Sequence, residues 1–76
     1  MAFGASYRPA RVRGLYGDAI STFRHQLRLT QEQLAHEMGV TASTINRWEN
    51  GHARPTRLAQ RALRECAQRH GATFGA

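Results

Sequence analysis

The stretch from Thr30 to Gly51 constrains the fold most, because two sets of helix start and stop signals lie close together in it. Thr30 followed three residues later by Gln33 is a capping box, in which each side chain satisfies a backbone N–H of the other residue. Gly39 supplies the left-handed backbone that commonly follows a last helical turn. The first signals therefore predict a short helix that starts just after Thr30 and ends at Met38.

A second short helix is predicted almost immediately afterwards. Thr41 is another N-cap, and Asn50-Gly51 closes the run Ala42 to Glu49. Two helices joined by so short a glycine-containing turn must cross steeply, which requires a small residue facing a branched one. Ala35 and Ile45 meet that requirement.

Two further helices are predicted from the spacing of apolar residues on either side of this unit. Asp18 is a good N-cap for a helix that ends near Arg28. Pro55 suits the first turn of a last and longest helix, which runs until Gly71. The inward stripes of these helices are predicted to contain Ile20, Phe23 and Leu27, and then Leu58, Ala59, Ala62, Leu63 and Cys66.

These elements predict an all-α fold, a bundle of four to five helices. Residues 1–16 show no sustained period and are interpreted as a flexible basic N-terminal arm. Residues 17–71 form the folded domain, and residues 72–76 are a C-terminal tail.

The charge balance favours a polyanionic partner. The chain of 76 residues has a net charge of +6, from 11 basic residues, all arginine, against 5 acidic ones. No segment resembles a signal peptide or a membrane span, so we expect a soluble, cytoplasmic protein without a membrane partner.

The sequence offers no catalytic motif and no convincing metal site. Its four histidines have no acidic or nucleophilic partner at a fixed spacing, and phosphate-binding glycine loops are lacking. Cys66 and His70 lie one helical turn apart, but two ligands make a poor site. We therefore predict no enzyme activity, no metal and no cofactor, with Cys66 a buried apolar side chain.

The second short helix presents a polar arc when its residues are placed about 100° apart. Ile45, Trp48 and Glu49 turn toward the core, whereas the opposite arc has no acidic residue to repel phosphate. That arc contains Ser43, Asn46, Arg47 and Asn50. Arginine bonds guanine and asparagine bonds adenine bidentately in the major groove, so Arg47 and Asn46 are the preferred base readers. The alternative is an ordinary solvated helix face.

Two stretches of the chain resemble the phage repressor and Cro (XRE) family of helix-turn-helix regulators. They are Leu29-Thr-Gln-Glu-Gln-Leu-Ala and Gly39-Val-Thr-Ala-Ser-Thr-Ile-Asn-Arg-Trp-Glu-Asn-Gly51. The resemblance covers roughly Gly17 to Leu63. It implies a lambda-repressor-like fold and double-stranded DNA as the partner. Residues 17–71 are then the DNA-binding domain, with the recognition helix at about 42–50.

The resemblance also implies roles for individual residues. Gln31 is expected to contact a phosphate and to brace the first residues of the recognition helix. The positions that read bases are Thr41, Ala42, Ser43, Asn46 and Arg47. The further phosphate contacts are Thr44, Asn50, His52 and Arg54. Many relatives have glutamine where this chain has Ala42 and Ser43, so the operator is not inferred.

A buried ion pair between Arg24 and Glu49 is implied as well, and Trp48 is expected in the core rather than against a base. Binding as a homodimer is expected, because one short helix reads few base pairs. Two alternatives stay open: an antitoxin that also masks a toxin protein, and a helical protein-interaction adaptor. The role of the N-terminal arginines is also left open.

Overall fold

The structure, a computed structural model, describes the backbone of residues 8–74 and the side chains of residues 16–74. Four helices make up this part of the chain: α1 is Arg8–Gln26, α2 is Gln31–Met38, α3 is Ala42–Glu49 and α4 is Arg57–Arg69. The described residues contain no strand. The predicted all-α class is confirmed, with four helices.

Helix α1 begins at Arg8 rather than at Asp18. The prediction of a flexible arm is therefore wrong for residues 8–16, and residues 1–7 lie outside the described part. Pro9 does not prevent this helix, because it lies in the first turn, where backbone N–H groups have no partner within the helix. Tyr16 packs against the core and donates a hydrogen bond to Gln60 Oε1 at 3.0 Å, a tertiary contact that supports the helix before Asp18.

The end of α1 is a Schellman turn centred on Arg28. Its backbone φ is +59°, in the left-handed region that glycine usually occupies. The Arg28 N–H donates to the His25 carbonyl at 3.0 Å, and the Leu29 N–H donates to the Arg24 carbonyl at 3.1 Å. The last helical residue is Gln26, two positions before the predicted end.

The two short helices are where the sequence predicts them. Thr30 and Gln33 form both hydrogen bonds of the capping box, and Gly39 has a φ of +75° after the last residue of α2. Thr41 caps α3 by accepting a hydrogen bond from the Thr44 N–H at 3.1 Å. The boundaries of α2 and α3 are therefore confirmed.

Helix α4 differs from its prediction in three respects. Pro55 lies before the helix rather than in its first turn, and the N-cap is Thr56, which accepts a hydrogen bond from the Ala59 N–H at 3.1 Å. Leu58 is 74% exposed, so its predicted place on the inward stripe is wrong. With α1 extended back to Arg8, α4 is also not the longest helix. Helical spacing identified the stripe, but only packing decides which edge of it is covered.

The core lies where the four helices meet, with α3 against both α1 and α2, and α2 also against α4. The buried apolar side chains are Ile20, Phe23, Leu34, Ala35, Ile45, Trp48, Leu63, Cys66, Ala67 and Phe74. Phe74 belongs to the predicted C-terminal tail, yet its ring meets the ring of Phe23 edge-on with centroids 5.4 Å apart. No helix among residues 8–74 is long and apolar enough to cross a membrane.

Candidate nucleic-acid interface

Helix α3 has one buried side and one exposed side. Ile45, Trp48 and Glu49 are buried, and the last two are each only 5% exposed. The inward orientation that the helical wheel predicts for them is confirmed, including the place of Trp48 in the core. Because the buried side is fully engaged, rotation of α3 about its axis is prevented.

An ion pair between α1 and the last residue of α3 fixes the end of this helix. Arg24 Nε donates to Glu49 Oε2 at 2.6 Å and Arg24 NH2 donates to Glu49 Oε1 at 3.0 Å. Arg24 NH1 also donates to the Leu29 carbonyl at 3.0 Å. The hydrogen bond to Glu49 raises the pKa of Arg24 above its ordinary value. The expected pair of Arg24 with Glu49 is confirmed.

Gln31 joins this arrangement from the first residue of α2. Its Nε2 donates to Glu49 Oε1 at 3.2 Å. The residue that Gln31 holds in this way is the last one of α3, whereas the resemblance implies a contact with its first residues. The packing of α2 against α3 brings these two residues together, and it does not follow from the position of Gln31 in the sequence.

The exposed side of α3 is polar and contains no acidic residue. Its members Ser43, Asn46, Arg47 and Asn50 are all exposed. Within residues 16–74, the side chains of Ser43, Asn46 and Arg47 make no hydrogen bond or ion pair. Their donors and acceptors are therefore available to an external ligand.

The ends of this face are set by local hydrogen bonds. The hydroxyls of Thr41 and Thr44 lie 2.9 Å apart, with Thr41 exposed and Thr44 partly buried. Ala42 is also only partly buried. At the other end, Asn50 Nδ2 donates to the Asn46 carbonyl at 2.9 Å, which leaves the amide oxygen of Asn50 for other donors.

The loop after α3 carries the two remaining predicted residues. The His52 N–H donates to the Arg47 carbonyl at 2.8 Å, which anchors the loop to the helix. The side chains of His52 and Arg54 are both exposed. Their exposed N–H donors, and the charge of Arg54, suit contact with phosphate.

The structure also shows an arginine face on α4 that the sequence analysis counted only as net charge. Arg57, Arg61 and Arg64 line one shallow depression together with Leu58. Their spacing of four and three residues was visible in the sequence as a helical stripe. This face adds a second basic surface to the molecule.

Two short helices meet at a glycine turn, and the second is held at its last residue by hydrogen bonds and has an exposed polar side without acidic residues. This arrangement defines a helix-turn-helix DNA-binding domain. The sequence model of one such family, described as helix-turn-helix, matches residues 20–58. The chain belongs to this family, the XRE family of phage repressor and Cro type. It is a DNA-binding regulator of a kind that is generally not enzymatic. No curated protein and no solved structure matches the chain.

Proposed function

We propose that this protein is a sequence-specific transcriptional repressor that inserts α3 into the major groove of double-stranded DNA. One observation carries the proposal: Asn46 and Arg47 are exposed and their side chains make no hydrogen bond or ion pair within residues 16–74, while the opposite side of α3 is buried. A helix that cannot rotate presents these side chains in a fixed direction. Fixed donors distinguish one base pair from another.

The proposed readers divide according to their chemistry. Arg47 bonds the O6 and N7 of a guanine, and Asn46 bonds the N6 and N7 of an adenine, each discriminating by about 1–3 kcal/mol. The small residues Ala42 and Ser43 leave room for a thymine methyl at the N-terminal end of α3, where Thr41 also lies. These five residues therefore account for specificity.

A second set of residues contacts the phosphate backbone of the DNA. Phosphate contacts place the helix in register without reading the sequence. The loop residues His52 and Arg54 and the amide of Asn50 serve this purpose after α3. Gln31 and Thr44 serve it before and within α3, and the Gln31 Nε2 that donates one N–H to Glu49 keeps its second N–H for a phosphate oxygen. The net charge of +6 favours approach to DNA in general.

The protein acts as a homodimer in this proposal. An eight-residue helix contacts only a few base pairs, so a single copy discriminates poorly among many sites. Two copies related by a two-fold axis place their α3 helices about 34 Å apart and read both halves of a pseudo-palindrome. The predicted operator therefore contains two inverted half-sites whose centres are about one helical turn apart.

The test is selection of purified protein against randomised duplexes at near-physiological salt, followed by sequencing of the retained pool. We expect enrichment of a two-fold-related site. The variant Arg47→Ala should lose preference at one base pair in each half-site. Arg64→Ala removes the same charge from an exposed position on α4 and should keep the whole preference.

Each other outcome of the selection contradicts a definite part of the proposal. Enrichment of a single half-site contradicts the dimer. No enrichment at all contradicts sequence-specific recognition and favours an antitoxin or an adaptor. A preference that Arg47→Ala leaves unchanged removes Arg47 from the base readers.

A further inference from the structure

Three side chains that bind metals in other proteins meet on the face of the molecule between α2 and α4. They are Glu37 near the end of α2, Cys66 in α4 and His70, the C-cap of α4. One ligand atom from each lies within 4.8 Å of the other two. Cys66 and His70 are one helical turn apart, and Glu37 supplies the third ligand that the sequence analysis did not find.

Hydrogen bonds show how closely these atoms converge. Cys66 Sγ donates to Glu37 Oε1 at 3.3 Å. His70 Nε2 lies 2.8 Å from Oε1 and 2.9 Å from Oε2 of the same carboxylate. Glu37 is therefore placed between a sulfur and a nitrogen, and all three atoms share one small volume.

The cluster is closed on one side and open on the other. Cys66 is fully buried, which fixes the position of its sulfur. The side chains of Glu37 and His70 are 26% and 31% exposed. An ion can therefore enter from solvent, and one side remains accessible to water.

We propose that Glu37, Cys66 and His70 bind one zinc ion, with a water molecule as the fourth ligand. Zinc accepts sulfur, nitrogen and oxygen ligands together in a tetrahedral arrangement. Softer ions need more sulfur, and calcium or magnesium needs more oxygen. The mixed donor set is therefore selective for an ion of the zinc type.

Two of the three ligand distances come close to this geometry, and the sulfur and nitrogen atoms lie within 4.8 Å of each other. Bonds of about 2.0–2.3 Å at tetrahedral angles require ligand atoms roughly 3.3–3.7 Å apart. The oxygen–sulfur distance is already 3.3 Å, and the nitrogen–oxygen distance of 2.8 Å must open by about half an ångström. The partial exposure of Glu37 and His70 leaves them free to move that far.

The ion takes the place of the protons that now join these groups. Burial and the contact with Glu37 raise the pKa of the Cys66 thiol to about 11, so the free protein holds the thiol protonated. Coordination releases the thiol proton to solvent and removes any proton from His70 Nε2, which passes to solvent or to Nδ1, so that the neutral imidazole binds the ion through Nε2. The carboxylate loses two hydrogen bonds and gains one metal bond.

Arg69 is the charge that opposes the ion. Its NH2 group lies 3.7 Å from Glu37 Oε1 and 3.3 Å from the Glu37 carbonyl oxygen. The Arg69 side chain is 54% exposed, so it can turn into solvent when the ion binds. Substitution of Arg69 therefore distinguishes two interpretations of the cluster. If the cluster is only an ion-pair network, loss of Arg69 weakens it, whereas if the cluster is a metal site, loss of Arg69 tightens metal binding.

Binding would join the end of α2 to the end of α4. Glu37 is followed directly by Met38 and by the glycine turn that leads to α3. A metal bond at Glu37 therefore stiffens the segment from which α3 departs. The effect is on the folded domain and holds whether or not the DNA-binding proposal is correct.

The experiment is titration of the reduced 76-residue chain with Co²⁺, which occupies zinc sites and absorbs light when bound to a thiolate. We expect one ion per chain, a sulfur-to-cobalt charge-transfer band, and displacement of that band by Zn²⁺. Addition of Zn²⁺ should raise the melting temperature, and a chelator should reverse the rise.

Variants assign the ligands. His70→Gln and Glu37→Gln, both at partly exposed side chains, should weaken Co²⁺ binding at least tenfold. Loss of a residue that supports a metal ligand only indirectly already weakens metal binding by about 10–100-fold. Cys66→Ala should abolish the charge-transfer band. Arg69→Ala should tighten binding. The matched control is His36→Gln, which removes an exposed histidine of α2 outside the cluster and should change nothing.

Three results would overturn the proposal. They are the lack of a charge-transfer band in the reduced protein, Co²⁺ binding that survives in both Glu37→Gln and His70→Gln, and weaker binding in Arg69→Ala. A normal melting curve for Glu37→Gln and His70→Gln shows that loss of binding is not loss of folding. DNA binding is measured separately, so failure of the metal site leaves the proposed function untouched.

Discussion

Glu49 is a buried carboxylate whose removal should unfold the protein rather than change its DNA preference. Its side chain is 6% exposed and that of its partner Arg24 is 13% exposed. The substitution Glu49→Ala deletes the acceptor of two arginine hydrogen bonds and of one from Gln31. It leaves a guanidinium with one remaining partner, the Leu29 carbonyl, in a largely dry site.

The cost can be set against the whole stability of the domain. Hydrogen bonds to charged groups contribute about 1.5–3 kcal/mol each, and stranding one partner of a buried pair costs about 3–5 kcal/mol. A chain of 76 residues is stable by roughly 4–11 kcal/mol at 0.05–0.15 kcal/mol per residue. Glu49→Ala should therefore remove between about a quarter of the stability and all of it.

The assay is urea unfolding followed by far-ultraviolet circular dichroism, together with DNA binding at low temperature. The double variant Arg24→Met with Glu49→Leu removes both charges and should recover much of the loss, because no charge is then stranded. Glu49→Gln keeps an acceptor and should fall between. An unchanged unfolding curve for Glu49→Ala, with lost DNA binding, would refute the reasoning and would make Glu49 part of the interface.

The remaining predictions concern one interface residue, one loop residue, one core residue and one strained turn. Arg47→Ala should cost about 1–3 kcal/mol on the preferred site and relax one base pair, whereas equal losses on all duplexes would show a phosphate contact instead. Arg54→Ala should weaken binding to every duplex alike and reduce the salt slope by about 0.9, as measured by titration at several salt concentrations. Leu34→Ala opens a cavity at a fully buried position and should destabilise by about 2–5 kcal/mol in urea, and a normal midpoint would mean that the core is misassigned. Arg28→Gly should stabilise by about 0.5–1 kcal/mol, because glycine adopts its φ of +59° without the steric cost of a side chain; a lower urea midpoint would contradict this.

The elements predicted best are those whose signals are local. The capping box at Thr30, the left-handed Gly39 and the N-cap Thr41 act within a few residues of the chain, so the boundaries of α2 and α3 could be derived without knowledge of the rest. The same holds for the orientation of α3, because helical geometry alone separates Ile45 and Trp48 from the polar arc.

The beginning of α1 shows the limit of this reasoning. The residues around Pro9 and Gly14 are weak helix formers, and local signals therefore place the start at Asp18. The helix nevertheless begins at Arg8, with a tertiary contact from Tyr16 to Gln60 on α4. Helix formation in proteins depends more on packing than on propensity, and packing cannot be derived from an isolated segment.

The candidate sites also have one part that the sequence predicts and another that depends on the tertiary structure. The sequence was sufficient to identify the face of α3 and, through a family resemblance, the pair of Arg24 with Glu49. Only the folded chain placed the Gln31 amide on Glu49 and brought Glu37 close to Cys66 and His70, across 29 and 33 positions of sequence. Local hydrogen bonds and side-chain periodicity act along the chain, whereas these contacts depend on how the helices cross, which the whole core decides.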